Sequence, residues 1–183
     1  MLRPLNRESL RRQFQNAKPF PFVAIDDFLE PSFAKEVAAS YPDYETAKQH
    51  GHEFSAVNEQ SKVQVTDPSA FPEPVKRLNA LLSSPEFTAE LEYITGIKGL
   101  LYDSELGGGG MHLTGPRGRL DVHVDFNFLE ERRLHRRLNI LVYLNEDWKD
   151  EWGGAVELWD KDVRECHHSL KPLLNRCVIF ETS

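Results

Sequence analysis

In the stretch LDVHVDFN, residues 120–127, an imidazole and a carboxylate stand two positions apart, as His123 and Asp125. The segment alternates apolar and polar side chains, the period of a strand, and residues i and i+2 of a strand share a face. A ring nitrogen and a carboxylate oxygen placed in that way reach one cation together. Two histidines and one carboxylate on one face of an iron ion leave positions open for a chelating co-substrate and dioxygen. That chemistry needs a third ligand, and an HxD pair taken alone also suits a plain solvated strand face.

The neighbours of the pair give it context. Upstream runs ELGGGGMHLTGPRGR, a glycine-rich loop that lets backbone approach something bulky. Downstream, in RLNILVYLN, residues Arg137, Asn139, Leu141 and Tyr143 fall on one strand face. If that face lines a barrel, the Tyr143 hydroxyl can donate to a bound carboxylate. Trp152-Gly153-Gly154 then opens the next strand with a close approach.

Other candidates have plainer readings beside the functional ones. His112 either reaches a pocket mouth or decorates a surface loop. EERRLHRR, residues 130–137, reads as a solvated hairpin tip, with Arg132, Arg133 or Arg136 as the alternative receiver of an acidic substrate. His50 and His52 in QHGHEF read as a loop with no third ligand nearby. Of His167 and His168, one is expected inward and satisfied and the other solvated. Trp148, Trp152 and Trp159 read as packing residues, and Asp26 and Asp27 as a turn without chemistry.

These residues must be positioned by elements whose signals change midway. The first half is helical around short strands. NRESLRRQFQNA, PSFAKEVAASYP, FPEPVKRLNALLS and SPEFTAELEYITG carry apolar stripes at helical spacing. The last has Ser84 as its cap, Pro85 at its first position and Gly96 at its end. PFVAIDDFLEP predicts a strand over 22–25 running into a turn. From about residue 99 the period becomes two. GLLYDSEL, RLDVHVDFN, RLNILVYLN, GAVELWD, ECHHSLK and RCVIFET read as strands, which predicts an antiparallel sandwich or barrel with helices outside.

Composition bounds the rest. The chain has 183 residues, 40% hydrophobic and 28% charged, with a net charge of -7. That size suits one domain over 1–183, a helical layer over 1–98 joined to a strand core over 99–183. The acidic balance argues against nucleic-acid and anionic-membrane partners. No segment has the apolar length of a membrane span, and the start lacks the apolar region of a secretory signal. Two cysteines, Cys166 and Cys177, make no disulfide framework. Reduced thiols and a cytoplasmic location are expected.

The series HVDFN, NILVYLNEDW, EWGGAVELW and PLLNRCVIFE resembles the iron(II)- and 2-oxoglutarate-dependent dioxygenases of the prolyl-hydroxylase-like group. FVAIDDFLEPSFAKEVAASYP resembles the N-terminal element of the same group, so the likeness spans roughly residues 20–183. The resemblance implies an α+β, mainly β, fold: a double-stranded β-helix (jelly-roll) core with flanking N-terminal helices. It implies His123 and Asp125 as catalytic metal ligands. The cofactor-binding residues implied are Tyr143, which matches a tyrosine that contacts 2-oxoglutarate, Asn139 on the same strand face, and Val156 on a strand bordering the pocket. The cofactors implied are Fe(II), 2-oxoglutarate and O2. The activity implied is hydroxylation of a C–H bond in a prolyl or amino-acid-like substrate, small-molecule or peptidyl, with release of succinate and CO2.

In that group the third ligand, a histidine, and a basic residue for the far carboxylate of 2-oxoglutarate follow the strand matching RCVIFET. Both are therefore expected beyond Ser183, as are the last strands of the roll. The 183 residues by themselves are expected to bind iron weakly and turn over little. Two rivals stand beside the hydroxylase: a jelly-roll module that binds a ligand or protein without catalysis, and a cupin-type metal enzyme that does not use 2-oxoglutarate.

Overall fold

Asn6 starts helix α1 (Arg7–Asn16) by accepting the Ser9 N–H with its side chain, and the helix buries Leu10 and Phe14. The computed structural model describes residues 1–182. Strand β1 (Phe22–Ile25) follows, then helix α2 (Pro31–Ser40), which buries Phe33, Ala34 and Val37 at helical spacing. Asp43 caps the short helix α3 (Tyr44–Lys48) at the Thr46 N–H. Strands β2 (His52–Ser55) and β3 (Glu59–Val65) lead to helices α4 (Glu73–Leu82) and α5 (Pro85–Thr95). The Ser84 hydroxyl accepts the Phe87 N–H at 3.2 Å, and Gly96 ends α5 at φ 80°. Seven strands follow among the described residues: β4 (Met111–Leu120), β5 (Phe128–Leu129), β6 (Leu134–His135), β7 (Leu138–Tyr143), β8 (Val156–Trp159), β9 (Cys166–Leu170) and β10 (Arg176–Glu181). Every ladder between these strands is antiparallel.

The chain divides into two compact units, each assembled from separate stretches of sequence. One comprises Met1–Ala38, Ala89–Gly99 and Val122–Ser183. Its sheet has the order β1-β10-β7, with Phe22 opposite Phe180 and Tyr143 opposite Arg176. The central strand is covered on both faces, which is why Cys177, Val178 and Ile179 form an unbroken apolar run, each at most 1% exposed. Two hairpins, β5-β6 and β8-β9, belong to the same unit.

The other unit comprises Ala39–Thr88 and Leu100–Asp121. Its sheet has the order β2-β3-β4, and Val63 and Val65 of the central strand are fully buried. Gly110 stands just before β4 at φ 90°, where an added Cβ would lie 2.2 Å from the Val65 carbonyl oxygen. The close approach expected of the glycine-rich loop is therefore made to the backbone of β3.

Several expected elements differ. GLLYDSEL is no strand. The Asp103 carboxylate accepts the Glu105 and Gly107 N–H groups and curls the chain into turns. QHGHEF is no loop throughout, because His52–Ser55 pairs with β3, itself unanticipated in NEQSKVQV. Strand β4 ends at Leu120, so residues 121–127 are not extended in a ladder. Val122, Val124 and Phe126 are 49%, 84% and 45% exposed, so no buried face holds that segment to a pleat. No helix is long and apolar enough to cross a membrane among the described residues.

Candidate functional site

His123 and Asp125 meet even though no strand carries them. His123 Nε2 lies 3.5 Å from Asp125 Oδ1. The hairpin downstream sets what surrounds them. Phe128 pairs with His135 and Leu129 with Leu134, and Arg133 turns at φ 52°. The Arg136 N–H then bonds the Asn127 carbonyl at 2.9 Å, so the chain entering β7 returns alongside the HxD segment. From β7, Asn139 Nδ2 donates to Asp125 Oδ2 at 2.5 Å. Arg136 places Nη1 3.8 Å from Asp125 Oδ1, donates through Nη2 to Asn139 Oδ1, and lays its guanidinium 4.6 Å from the centre of the Phe126 ring.

The electrostatics favour an ionised carboxylate. The hydrogen bond from His123 holds the Asp125 carboxyl below its ordinary range, with the Arg136 charge and the Asn139 amide acting the same way against burial. An imidazole nitrogen and a carboxylate oxygen suit a divalent first-row metal in donor type. Among the described residues no third His, Cys, Asp or Glu completes a ligand group with them.

Tyr143 shares the β7 face of Asn139 and Leu141, and burial pushes its hydroxyl up to about 12. The group stays protonated at neutral pH and can donate to an anion. Opposite it, Arg176 grips Asp26 through Nε at 2.6 Å and Nη2 at 3.0 Å. The turn residue Asp26 thus has an ion-pair role that sequence reading missed, since nothing local couples it to a residue 150 positions away. Val156 opens β8 opposite Leu170.

The remaining candidates have structural partners. His168 packs on Phe22 with ring centres 4.7 Å apart, while His167 is exposed, so one faces inward and one is solvated. His112 lies in β4 with Nε2 3.1 Å from the Gly109 carbonyl oxygen. In the EDWKDEWGG segment Trp148 and Trp152 meet edge to face at 5.4 Å, and Trp148 Nε1 donates to the Gly153 carbonyl. Cys166 and Cys177 are free thiols on strands of different sheets.

Residues 109–183 match the model of the 2OG-Fe(II) oxygenase superfamily. No curated protein sequence matches the chain significantly. Among solved structures, a Pseudomonas putida prolyl-4-hydroxylase is similar at TM-score 0.59 and 19% identity, over 95% of this chain and 87% of that one. A Trichoplax adhaerens prolyl hydroxylase in complex with a hypoxia inducible factor peptide fragment gives TM-score 0.57 and 17% identity, over 96% and 80%. A prolyl 4-hydroxylase from Phytophthora capsici gives 0.55 and 19%, and this chain spans 59% of its length. At these identities the structures speak for the fold: mixed α/β, with antiparallel strands, similar to that of prolyl hydroxylases. The resemblance read from HVDFN, YLNEDW and EWGG is borne out, and residues 109–183 carry the pattern of the 2OG-Fe(II) oxygenase superfamily.

Proposed function

We propose that the protein is an Fe(II)- and 2-oxoglutarate-dependent dioxygenase that hydroxylates a C–H bond of a prolyl or amino-acid-like substrate, on a jelly-roll core. The observation that carries this reading is the 3.5 Å approach of His123 Nε2 to Asp125 Oδ1 inside the segment that matches the oxygenase superfamily. His123 and Asp125 would hold the metal. Iron(II) held there would supply the dioxygen chemistry that couples decarboxylation of 2-oxoglutarate, to succinate and CO2, with hydroxylation of the substrate.

The chain's own share is binding and orientation. Tyr143 offers a neutral hydroxyl to a carboxylate of 2-oxoglutarate, and Val156 contributes an apolar wall. Phe126 and Phe128, 45% and 41% exposed beside the HxD pair, supply apolar surface suited to a pyrrolidine ring or a peptide. Reduced cysteines accord with a cytoplasmic setting.

The test is succinate release by the full-length protein with Fe(II), 2-oxoglutarate and a panel of prolyl peptides and free amino acids. Release is expected from the wild type and background levels from His123→Ala and Asp125→Ala. Tyr143→Phe is expected to weaken 2-oxoglutarate binding about tenfold, one hydrogen bond to a charged group. Binding of 2-oxoglutarate without succinate release favours the non-catalytic binding module. Metal-dependent turnover that ignores 2-oxoglutarate favours the cupin-type enzyme. Either result overturns the proposal.

A further inference from the structure

We propose that Asn139 is a positioning residue for the metal-binding carboxylate of Asp125, and that Arg136 fixes which way its amide faces; the inference rests on the metal-ligand reading above. Asp125 sits in a segment without ladder bonds, so its backbone does little to aim its side chain. The aim comes from β7. Asn139 lies inside a paired strand, opposite Phe180, and its Nδ2 occupies Asp125 Oδ2 at 2.5 Å. The other oxygen, Oδ1, is the one turned toward His123 Nε2.

An amide can present either its oxygen or its NH2 to a neighbour, and an oxygen facing Asp125 would repel it. Arg136 decides the matter. A guanidinium only donates, so its bond to Asn139 Oδ1 requires the oxygen on its side and leaves the NH2 for the carboxylate. Arg136 is itself held by the Phe126 ring at 4.6 Å, and its side chain is only 15% exposed. The chain Phe126, Arg136, Asn139, Asp125 therefore ties down Oδ2 and fixes the direction of the carboxylate, with Oδ1 turned toward His123 Nε2 and 3.8 Å from Arg136 Nη1. Outer partners of this kind are worth roughly 10–100-fold in metal affinity.

The test measures Mn(II) affinity of the full-length protein by electron paramagnetic resonance of free Mn(II), with thermal unfolding of the metal-free protein alongside. Asn139→Leu keeps the volume and removes the donor; Asn139→Ala serves if the leucine variant does not fold. Either is expected to weaken Mn(II) by about 10–100-fold while the metal-free melting temperature changes little. Arg136→Lys keeps the charge but loses the fork, and is expected to fall between wild type and Asn139→Leu. Binding within about threefold of wild type in the Asn139 variants overturns this inference and leaves the metal site standing. A loss of affinity that merely follows collapse of the metal-free fold also overturns it. Absence of His123-dependent Mn(II) binding in the wild type overturns both the inference and the reading beneath it.

Discussion

Replacing Asn175 with alanine should destabilise the protein more than any change at its surface. Asn175 is 5% exposed and stands at φ 66°, in the left-handed region, just before β10. Its side chain accepts the Leu29 N–H at 2.7 Å and donates to the Leu29 carbonyl at 2.8 Å, with Leu29 fully buried. Its own N–H bonds the Tyr143 carbonyl at 2.8 Å, and its carbonyl accepts the Phe28 N–H at 3.1 Å. One residue therefore ties the turn after β1 to the end of β7. Alanine strands a buried backbone donor and acceptor, which costs about 1–3 kcal/mol for each. Left-handed backbone without the asparagine side chain adds about 1 kcal/mol. The total is about 3–7 kcal/mol, a large part of the ~5–15 kcal/mol that holds a domain together. For a chain of this size that corresponds to a melting temperature lower by roughly 6–28 °C. Thermal and urea unfolding followed by circular dichroism measure it. Asn175→Gly removes the same two bonds but tolerates the backbone, so it should recover only about 1 kcal/mol. If alanine costs less than about 1 kcal/mol, the clamp on Leu29 does not carry the stability assigned to it.

Two further outcomes follow from the geometry. The Arg176 hydrogen bond holds Asp26, and the His123 hydrogen bond holds Asp125, below their ordinary value of 3.8. Carboxyls depressed by folding contribute fully above that value, and the contribution disappears as pH falls through their folded values. Lowering the pH from about 5 to about 3 should therefore reduce the melting temperature of the metal-free wild type more than that of an Asp26→Asn, Asp125→Asn double variant; equal slopes would contradict this. At the turn before β8, Gly153 at φ 67° has open space where a Cβ would go, whereas Gly154 at φ 73° would place one 3.1 Å from Trp148 Cζ2. Gly154→Ala should thus cost more stability than Gly153→Ala and shift tryptophan emission, whereas matching losses would show that strain alone governs both.

The elements that sequence reading found are those whose own residues decide them. Helix α5 is announced by Ser84, Pro85 and Gly96, and all three sit where a cap, a first turn and a left-handed end require them. Strand β10 is legible because a strand buried on both faces must be apolar throughout. Strand β3 was missed for the opposite reason. EQSKVQV is polar at most positions, and only Val63 and Val65 are buried; its place is set by pairing with β2 and β4, which no local pattern encodes. GLLYDSEL misled because its apolar residues suggest a strand, while Asp103 bonds nearby N–H groups and competes with extension.

The HxD segment shows the limit of pattern more sharply. Alternation placed His123 and Asp125 side by side on the assumption of a pleat, and the pair does converge, but the pleat is absent. What holds Asp125 beside His123 is a set of side-chain bonds from residues 11 to 14 positions downstream, delivered by the β5-β6 hairpin. Arg136 was legible only as one of several cations at a hairpin tip, and Asn139 only as a cofactor-binding candidate on the Tyr143 face. Hairpin register turns both toward Asp125, and register depends on the turn and its pairing rather than on any residue read singly. A site built in this way holds its geometry through Arg136 and Asn139 as much as through the two proposed ligands. Substitutions at those positions should alter metal affinity even though neither side chain would touch the metal.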